Sequence, residues 1–466
     1  MSDRRGLVIL AVLVIVVAAA LIATSAVVKA GAERRSTEAA TRRAESEALA
    51  WSGVQLTLDE LRSQRDDLLR GDTPELTKTW TLYTTPFGER AVVRLVPDAD
   101  GVVAAPEAGR LDLNTASADS LAALPGLDEA SARAIVAARP FQSVRDLANV
   151  PDVNLDPREL AGEGTVYTYE PAVQAGVFDD ARTGRKRLNL SAEWSGELAA
   201  AIDEQWGRGV SDAVKGLRDA GATFTTYADY IRVLTNAQVQ RSEWGGIFDA
   251  VCLSDDPFEG GRVDMLRAPE AVLASVPGLD ADSAASIVGT RERLSDTERR
   301  TLTWPITQGI LEPSEWAEAA PHLTMRSMQW RVRVEAGFMP AAGDSESAAA
   351  LRDAYDAEET TLTDRVVFEA VLDAGGKTAR VAYLRDATLE EAWASVLADG
   401  ANTRTPTDGD VEEEEPASEP ELALDAMPLP AAAPPPPADP APASADANTG
   451  AGDPRVGRWR AIGGAS

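Results

Sequence analysis

"RVVFEAVLDAGGKTARVAYLRD" occupies residues 365–386, and its reading decides the fold. Strand-forming residues fill both arms, and Gly375-Gly376 stand where the chain would reverse. Just upstream, "QWRVRVEAG" (329–337) alternates Trp330, Val332 and Val334 with charged residues, the period-two pattern of a strand with one buried face. Far earlier, "TWTLYT" and "RAVVRLV" flank "TPFGE", a turn with Pro86 and Gly88, which reads as another hairpin. Strands at both ends therefore bracket a largely helical middle. The simplest arrangement is an α+β fold in which one antiparallel sheet carries a helical domain inserted in one of its connections.

At the amino end, "MSDRRG" (1–6) precedes an uncharged apolar run from Leu7 to Val28. At about 1.5 Å per residue that run is about 33 Å long as a helix, enough to cross a bilayer core. A cleaved secretory signal has a shorter apolar stretch, so a retained anchor is expected, with Arg4 and Arg5 favouring a cytoplasmic amino terminus. Residues 29–72 continue as helix: Ala40, Ala44, Leu49, Trp51, Val54, Leu58 and Leu61 recur at helical spacing, and the helix is expected to end near Gly71-Asp72. The first part of the α+β domain then covers 73–108, the helical insert 109–325 and the second part 326–400. From 401 to 466 proline, alanine and acid dominate without periodic apolar residues. Such a segment cannot bury enough surface to offset chain entropy, so a disordered tail is expected there.

The insert repeats itself. "LDLNTASADSLAAL" starts at Leu111, "LNLSAEWSGELAAA" at Leu188 and "VDMLRAPEAVLASV" at Val263. The first and third copies continue into Pro-Gly hairpins, Pro125-Gly126-Leu127-Asp128 and Pro277-Gly278-Leu279-Asp280; the middle copy lacks one. In a DNA-gripping helix-hairpin-helix, a second glycine lets backbone N–H groups approach a phosphate at the next helix start. Here Asp128 and Asp280 hold that position, where each would cap its helix and fill the anion site with its own carboxylate. A companion hairpin at 150–154 has Asp152 at the same place. Arg133, Arg139, Arg291 and Arg293 are the basic residues the hairpin helices offer to a phosphate backbone, and "TGRKRLN" (183–189) is the one dense basic run.

Asp and Glu number 75 against 45 Lys and Arg, a net charge of -30 that repels polyanions unless basic residues cluster. Nucleic acid is therefore not the expected partner. Cys252 and His322 are each the sole residue of their type, which leaves no material for a disulfide framework, a multi-thiolate metal site or histidine chemistry. The pairs Asp59-Glu60, Asp66-Asp67 and Asp255-Asp256 read as exposed acids, and no phosphate-binding G-x-x-x-x-G-K loop is present. No enzyme is expected. "SDDPFEGGRVD" (254–264) gathers Asp255, Asp256, Glu259 and Asp264 beside two glycines, oxygen ligands suited to calcium in a spacing unlike that of the twelve-residue calcium loop. It is a weak calcium candidate, and no other cofactor is expected.

Taken in order, "RRGLVILAVLVIVV", "GRLDLNTAS", "VDMLRAPEAVLASVPGL", "ITQGILEPSEW", "PHLTMRSMQWRVRVEAGF" and the opening stretch resemble the K-class minor pseudopilin of the type II secretion system, general secretion pathway protein K. The resemblance implies a long amino-terminal membrane helix, a small pseudopilin sheet domain and a large helix-hairpin-helix or sterile-alpha-motif-like insert. It implies that prepilin peptidase cuts after Gly6, leaving Leu7 as a methylated amino terminus. Ala11 stands where most pseudopilins carry glutamate, a departure typical of the K class. A tip subunit needs no such glutamate, because no neighbour above it presents a buried charge to neutralise. The implied place is the inner membrane, single-pass, with the bulk of the chain periplasmic. The implied partners are other minor pseudopilins and the inner-membrane secretion platform. Calcium binding occurs in the family's large domain, without ligands that map onto this chain. The extra tail and the first hairpin depart from the pattern, and the hairpin keeps a second reading open, a membrane-anchored DNA-uptake receptor. A generic envelope scaffold is the third.

Overall fold

The computed structural model describes residues 3–97, 101–151, 153, 160, 162–339 and 362–390, with the side chains of 3–20 excepted. The tail at 401–466 and Asp152 lie outside the described residues, and Gly6 and Leu7 are described only as helical backbone. Helix α1 runs Asp3–Ser63 and a short α2 (Arg65–Leu69) follows. The helix thus breaks at Gln64, earlier than the expected end near Gly71. The chain turns away at Gly71, whose φ of +92° and close approach to the Met325 carbonyl (a Cβ would lie 2.6 Å from it) require glycine. Among the described residues no helix is long and apolar enough to cross a membrane; the side chains of 7–20, most of the expected span, are outside that description.

Strands β1 (Thr79–Thr84) and β2 (Arg90–Leu95) form the first hairpin, and β3 (Ala104–Pro106) leads into the insert. Three units with the same local devices follow. The first has β4 (Leu111–Asp112), α3 (Ala118–Ala122), α4 (Glu129–Ala138) and β5 (Gly164–Thr165). After β6 (Tyr169–Pro171), the second has β7 (Leu188–Asn189), α5 (Gly196–Trp206), α6 (Val210–Asp219), α7 (Tyr227–Asn236), α8 (Arg241–Ala250) and β8 (Val251–Cys252). After β9 (Phe258–Gly260), which pairs with β6, the third has β10 (Val263–Asp264), α9 (Glu270–Ala274), α10 (Ala281–Arg291), α11 (Asp296–Arg299), α12 (Trp304–Thr307), α13 (Pro313–Ala319) and β11 (Leu323–Thr324). In each unit the opening strand pairs in parallel with the closing one. The last opening-strand residue then takes the N–H two positions on: Asp112 from Asn114, Asn189 from Ser191, Asp264 from Leu266, at 2.8–2.9 Å. A capping box recurs too, at Ser143/Asp146, Thr226/Asp229 and Ser295/Glu298.

The chain returns to the sheet as β12 (Gln329–Met339), β13 (Thr363–Asp373) and β14 (Arg380–Asp386). The sheet is antiparallel, in the order β1-β2-β12-β13-β14, with β3 also on β12. Strands from both ends of the chain therefore share one sheet, and the insert occupies the connection between them. Helix α1 lies on one sheet face through Leu49, Ala50, Val54 and Leu61, packed with Val93, Trp330, Val332 and Val334. Contact is closest at Gly53, where a Cβ would come 2.2 Å from Val93 Cγ1 and 2.7 Å from Val334 Cγ1. The opposite face carries charge: Glu335 lies between Arg94 and Arg365, and Glu369 takes Arg385 at 2.8 Å and Arg331 at 3.3 Å. The insert has its own core, centred on Trp304, Trp316, Tyr227 and Phe248.

Candidate functional site: the hairpins and the charges beneath them

Both Pro-Gly hairpins turn through a glycine at φ +80°, Gly126 and Gly278, a conformation other residues adopt at a cost. Asp128 then caps α4 by accepting the Ser131 N–H at 2.8 Å, and Asp280 caps α10 by accepting the Ser283 N–H at 2.8 Å. Those backbone donors hold both carboxyls below the usual aspartate range, so each stays ionised at the helix start. A phosphate approaching either loop meets a fixed negative charge where a glycine-containing hairpin would offer free N–H groups. In the middle unit, Gly207 and Gly209, both at positive φ, make the turn between α5 and α6 instead.

The two hairpins differ in access. Pro125, Gly126, Asp128 and Glu129 are exposed. The other loop is pressed against the end of α13, where a Cβ on Gly278 would lie 2.9 Å from the Ala319 nitrogen and 3.0 Å from Glu318 Cβ. The first is therefore the more open of the two to a partner.

The arginines that composition offers to DNA are mostly engaged inside the protein. Arg139, just past α4, donates Nε to the Leu113 carbonyl at 2.6 Å and Nη2 to that of Ala116. Arg291, at the matching place of the third unit, donates to Ala268 O at 2.7 Å, and Arg218 of the middle unit to Leu190 O and Ala192 O at 3.2 and 2.9 Å. In each unit one arginine at the end of the second helix ties it back to the loop after the opening strand. Arg133 pairs with Glu129 on the same exposed turn, and Arg293 donates to the Gly289 carbonyl. The basic run is divided as well: Arg185 pairs with Glu204, while Arg187 points inward to Glu259 at 3.1 Å. Sequence reading missed this use of Arg139, Arg218 and Arg291. Their shared place at the end of the second helix of each unit was the available signal.

The four calcium candidates do not form one site. Asp255 accepts from Asn189, Asp256 is exposed, Glu259 faces Arg187 and Arg262, and fully buried Asp264 takes the Leu266 N–H and Arg267 at 2.7 Å. On Glu259 and Asp264, guanidinium groups already occupy lone pairs a cation would need. Among the described residues no three His, Cys, Asp or Glu side chains converge as metal ligands.

Glu259 belongs instead to a buried charge network that no motif announced. Glu170 on β6 accepts from Arg262 at 2.9 Å, from Thr324 at 3.1 Å and from Arg326. Arg326 also reaches the carbonyls of Leu69, Pro171 and Val173 at 3.2, 3.0 and 2.8 Å, joining α2 and β6 to the segment that leads into β12. A second buried acid, Glu107, holds Arg331 at 2.7 Å and Arg110 at 2.8 Å and accepts from Thr165.

Burial pushes the Glu107 carboxyl up, but Arg331 and Arg110 outweigh it and bring it down to about 2 from an ordinary 4.5. Its folded value lies below its unfolded one, so its contribution is fully present above about pH 4.5 and is lost as pH falls through about 2. Urea midpoints should therefore drop steadily from pH 5 to pH 2. In Glu107→Gln the drop should be shallower, from a lower starting stability; an unchanged slope would remove Glu107 from the acid response.

A family model for the helix-hairpin-helix motif matches residues 107–157. The match covers the first unit up to the residues beyond its capping box, including the one exposed hairpin. No curated protein matches the chain.

Proposed function

We propose that this chain is a non-enzymatic, pseudopilin-like assembly subunit of the inner membrane, of the K class of type II secretion. In this reading the bulk of the chain is periplasmic and the subunit stands at the tip of a pseudopilus, joined to other minor pseudopilins and the secretion platform. The observation that carries it is the architecture of the long amino-terminal helix. Asp3–Ser63 starts within a short basic leader, holds the Leu7–Val28 apolar run, and lays its carboxyl-terminal part on an antiparallel sheet with a bulky insert in one connection. The insert would stop further subunits from stacking above it.

Mass and amino-terminal sequencing of the protein recovered from its native membrane test this. Cleavage after Gly6 by prepilin peptidase, giving a chain that begins with methylated Leu7, is the expected result; a chain still beginning at Met1 or Ser2 would count against the class. Val16→Asp in the apolar run should block assembly, with a membrane cost of about 2.5–3.5 kcal/mol.

The helix-hairpin-helix match favours one second reading, a membrane-tethered receptor for duplex DNA. Asp128 in the anion position and the engagement of Arg139 within the fold weigh against it. Duplex binding should be absent even at low salt, where phosphate contacts are strongest. Salt-dependent binding that Arg133→Ala weakens would promote the receptor instead.

A further inference from the structure

Between α5 and α8 of the middle unit lies a cavity of about 320 Å³, within the size range of small-ligand sites. Its walls include Phe178, Trp206 and Ile247, with Asp179, Arg182 and Glu243 at the polar side. Phe178 is 58% exposed, an unusual state for a large aromatic ring. Its position is built: a Cβ on Gly246 would come 2.7 Å from the ring, so glycine there is what allows the ring to lie against α8. Among the described residues, neither Phe178 nor Trp206 takes part in an aromatic or cation–π pair, whereas Trp194, Trp330 and Phe338 each carry an arginine.

The charges of the cavity are unevenly satisfied. Asp179 faces Arg182 at 3.3 Å, and Arg182 also donates to Gln205 at 2.7 Å. Asp249, at the floor, accepts the backbone N–H groups of Ala175, Gly176 and Val177 and lies 4.0 Å from Arg187 behind it. Glu243 alone, on the first turn of α8, has no side-chain partner among the described residues. Two aromatic faces lacking a cation, beside a carboxylate lacking a partner, form the complement of an organic cation.

We propose that this cavity binds a guanidinium or alkylammonium group, its charge against Glu243 and its flat or methylene portion against Phe178 and Trp206. The same group could arrive on a free small amine or on an arginine or lysine side chain of another polypeptide. Calorimetric titration of the detergent-solubilised full-length chain with agmatine, a free alkylguanidinium, and with acetyl-Gly-Arg-Gly-amide separates the two sources by which probe binds tighter. Saturable binding is expected, weakened about fivefold or more by Phe178→Ala and by Glu243→Gln, and absent for the uncharged citrulline peptide. Both side chains are exposed, so an unchanged thermal melt should accompany each variant. No saturable binding of either cation at millimolar concentration, equal binding of the citrulline peptide, or affinity untouched by both substitutions would overturn the proposal.

Discussion

Replacing Arg326 with methionine should destabilise the protein by about 3–5 kcal/mol, the cost of removing one partner from a buried ion pair. The side chain is 3% exposed and has four acceptors: the Glu170 carboxylate and the carbonyls of Leu69, Pro171 and Val173. Methionine fills much of the volume but donates nothing, so the Leu69 and Val173 carbonyls and part of a carboxylate lose their donor, while Pro171 O keeps the Val173 N–H at 2.7 Å. Glu170 would retain Arg262 at 2.9 Å, with Arg187 farther off at 3.9 Å. The double change with Glu170→Gln should therefore cost less than the sum of the two single changes, by about 0.5–3 kcal/mol of coupling. Urea unfolding of the four proteins measures this. A loss under about 1 kcal/mol for Arg326→Met would mean that the network does not hold α2 and β6 to the segment that leads into β12.

The sheet was largely legible and the charge network was not, for one physical reason. Trp330, Val332 and Val334 announce their strand through neighbours two residues away, and Gly375-Gly376 lie within the reversal between β13 and β14. Asp128 and Asp280 announce caps through a position only three residues from the N–H they accept. Glu170 and Arg326 stand 156 residues apart, and nothing local in "YEP" or "TMRS" distinguishes them from exposed charges. The same limit hides the use of Arg139 and Arg187, which meet carbonyls or acids brought in by the fold. The calcium reading failed in the opposite way. Three of the four acids close in sequence turn to three different places, Asp255 to Asn189, Glu259 to Arg187 and Arg262, and Asp264 to Arg267, while Asp256 stays exposed.

Truncating Trp316 to alanine should cost about 3–5 kcal/mol, the range for a large buried aromatic. Trp316 on α13 is fully buried, its ring 4.6 Å from that of Phe248 on α8 and 5.6 Å from that of Tyr227 on α7. It therefore joins the third unit to the second, and its indole N–H donates to the Leu302 carbonyl at 3.0 Å. Alanine would open a cavity where two units meet and leave that carbonyl without its donor. Trp316→Phe separates the two effects: it keeps most of the ring contact and loses the hydrogen bond, and should cost about 1–3 kcal/mol. Thermal unfolding followed by near-ultraviolet circular dichroism would report both. If alanine were tolerated within about 1 kcal/mol, the insert would have to be a string of units stable on their own, and the bulk that caps the proposed pseudopilus could not act as one rigid body. A loss in the expected range makes the second and third units a single cooperative block, with the exposed Pro125-Gly126 hairpin carried by the unit beside it.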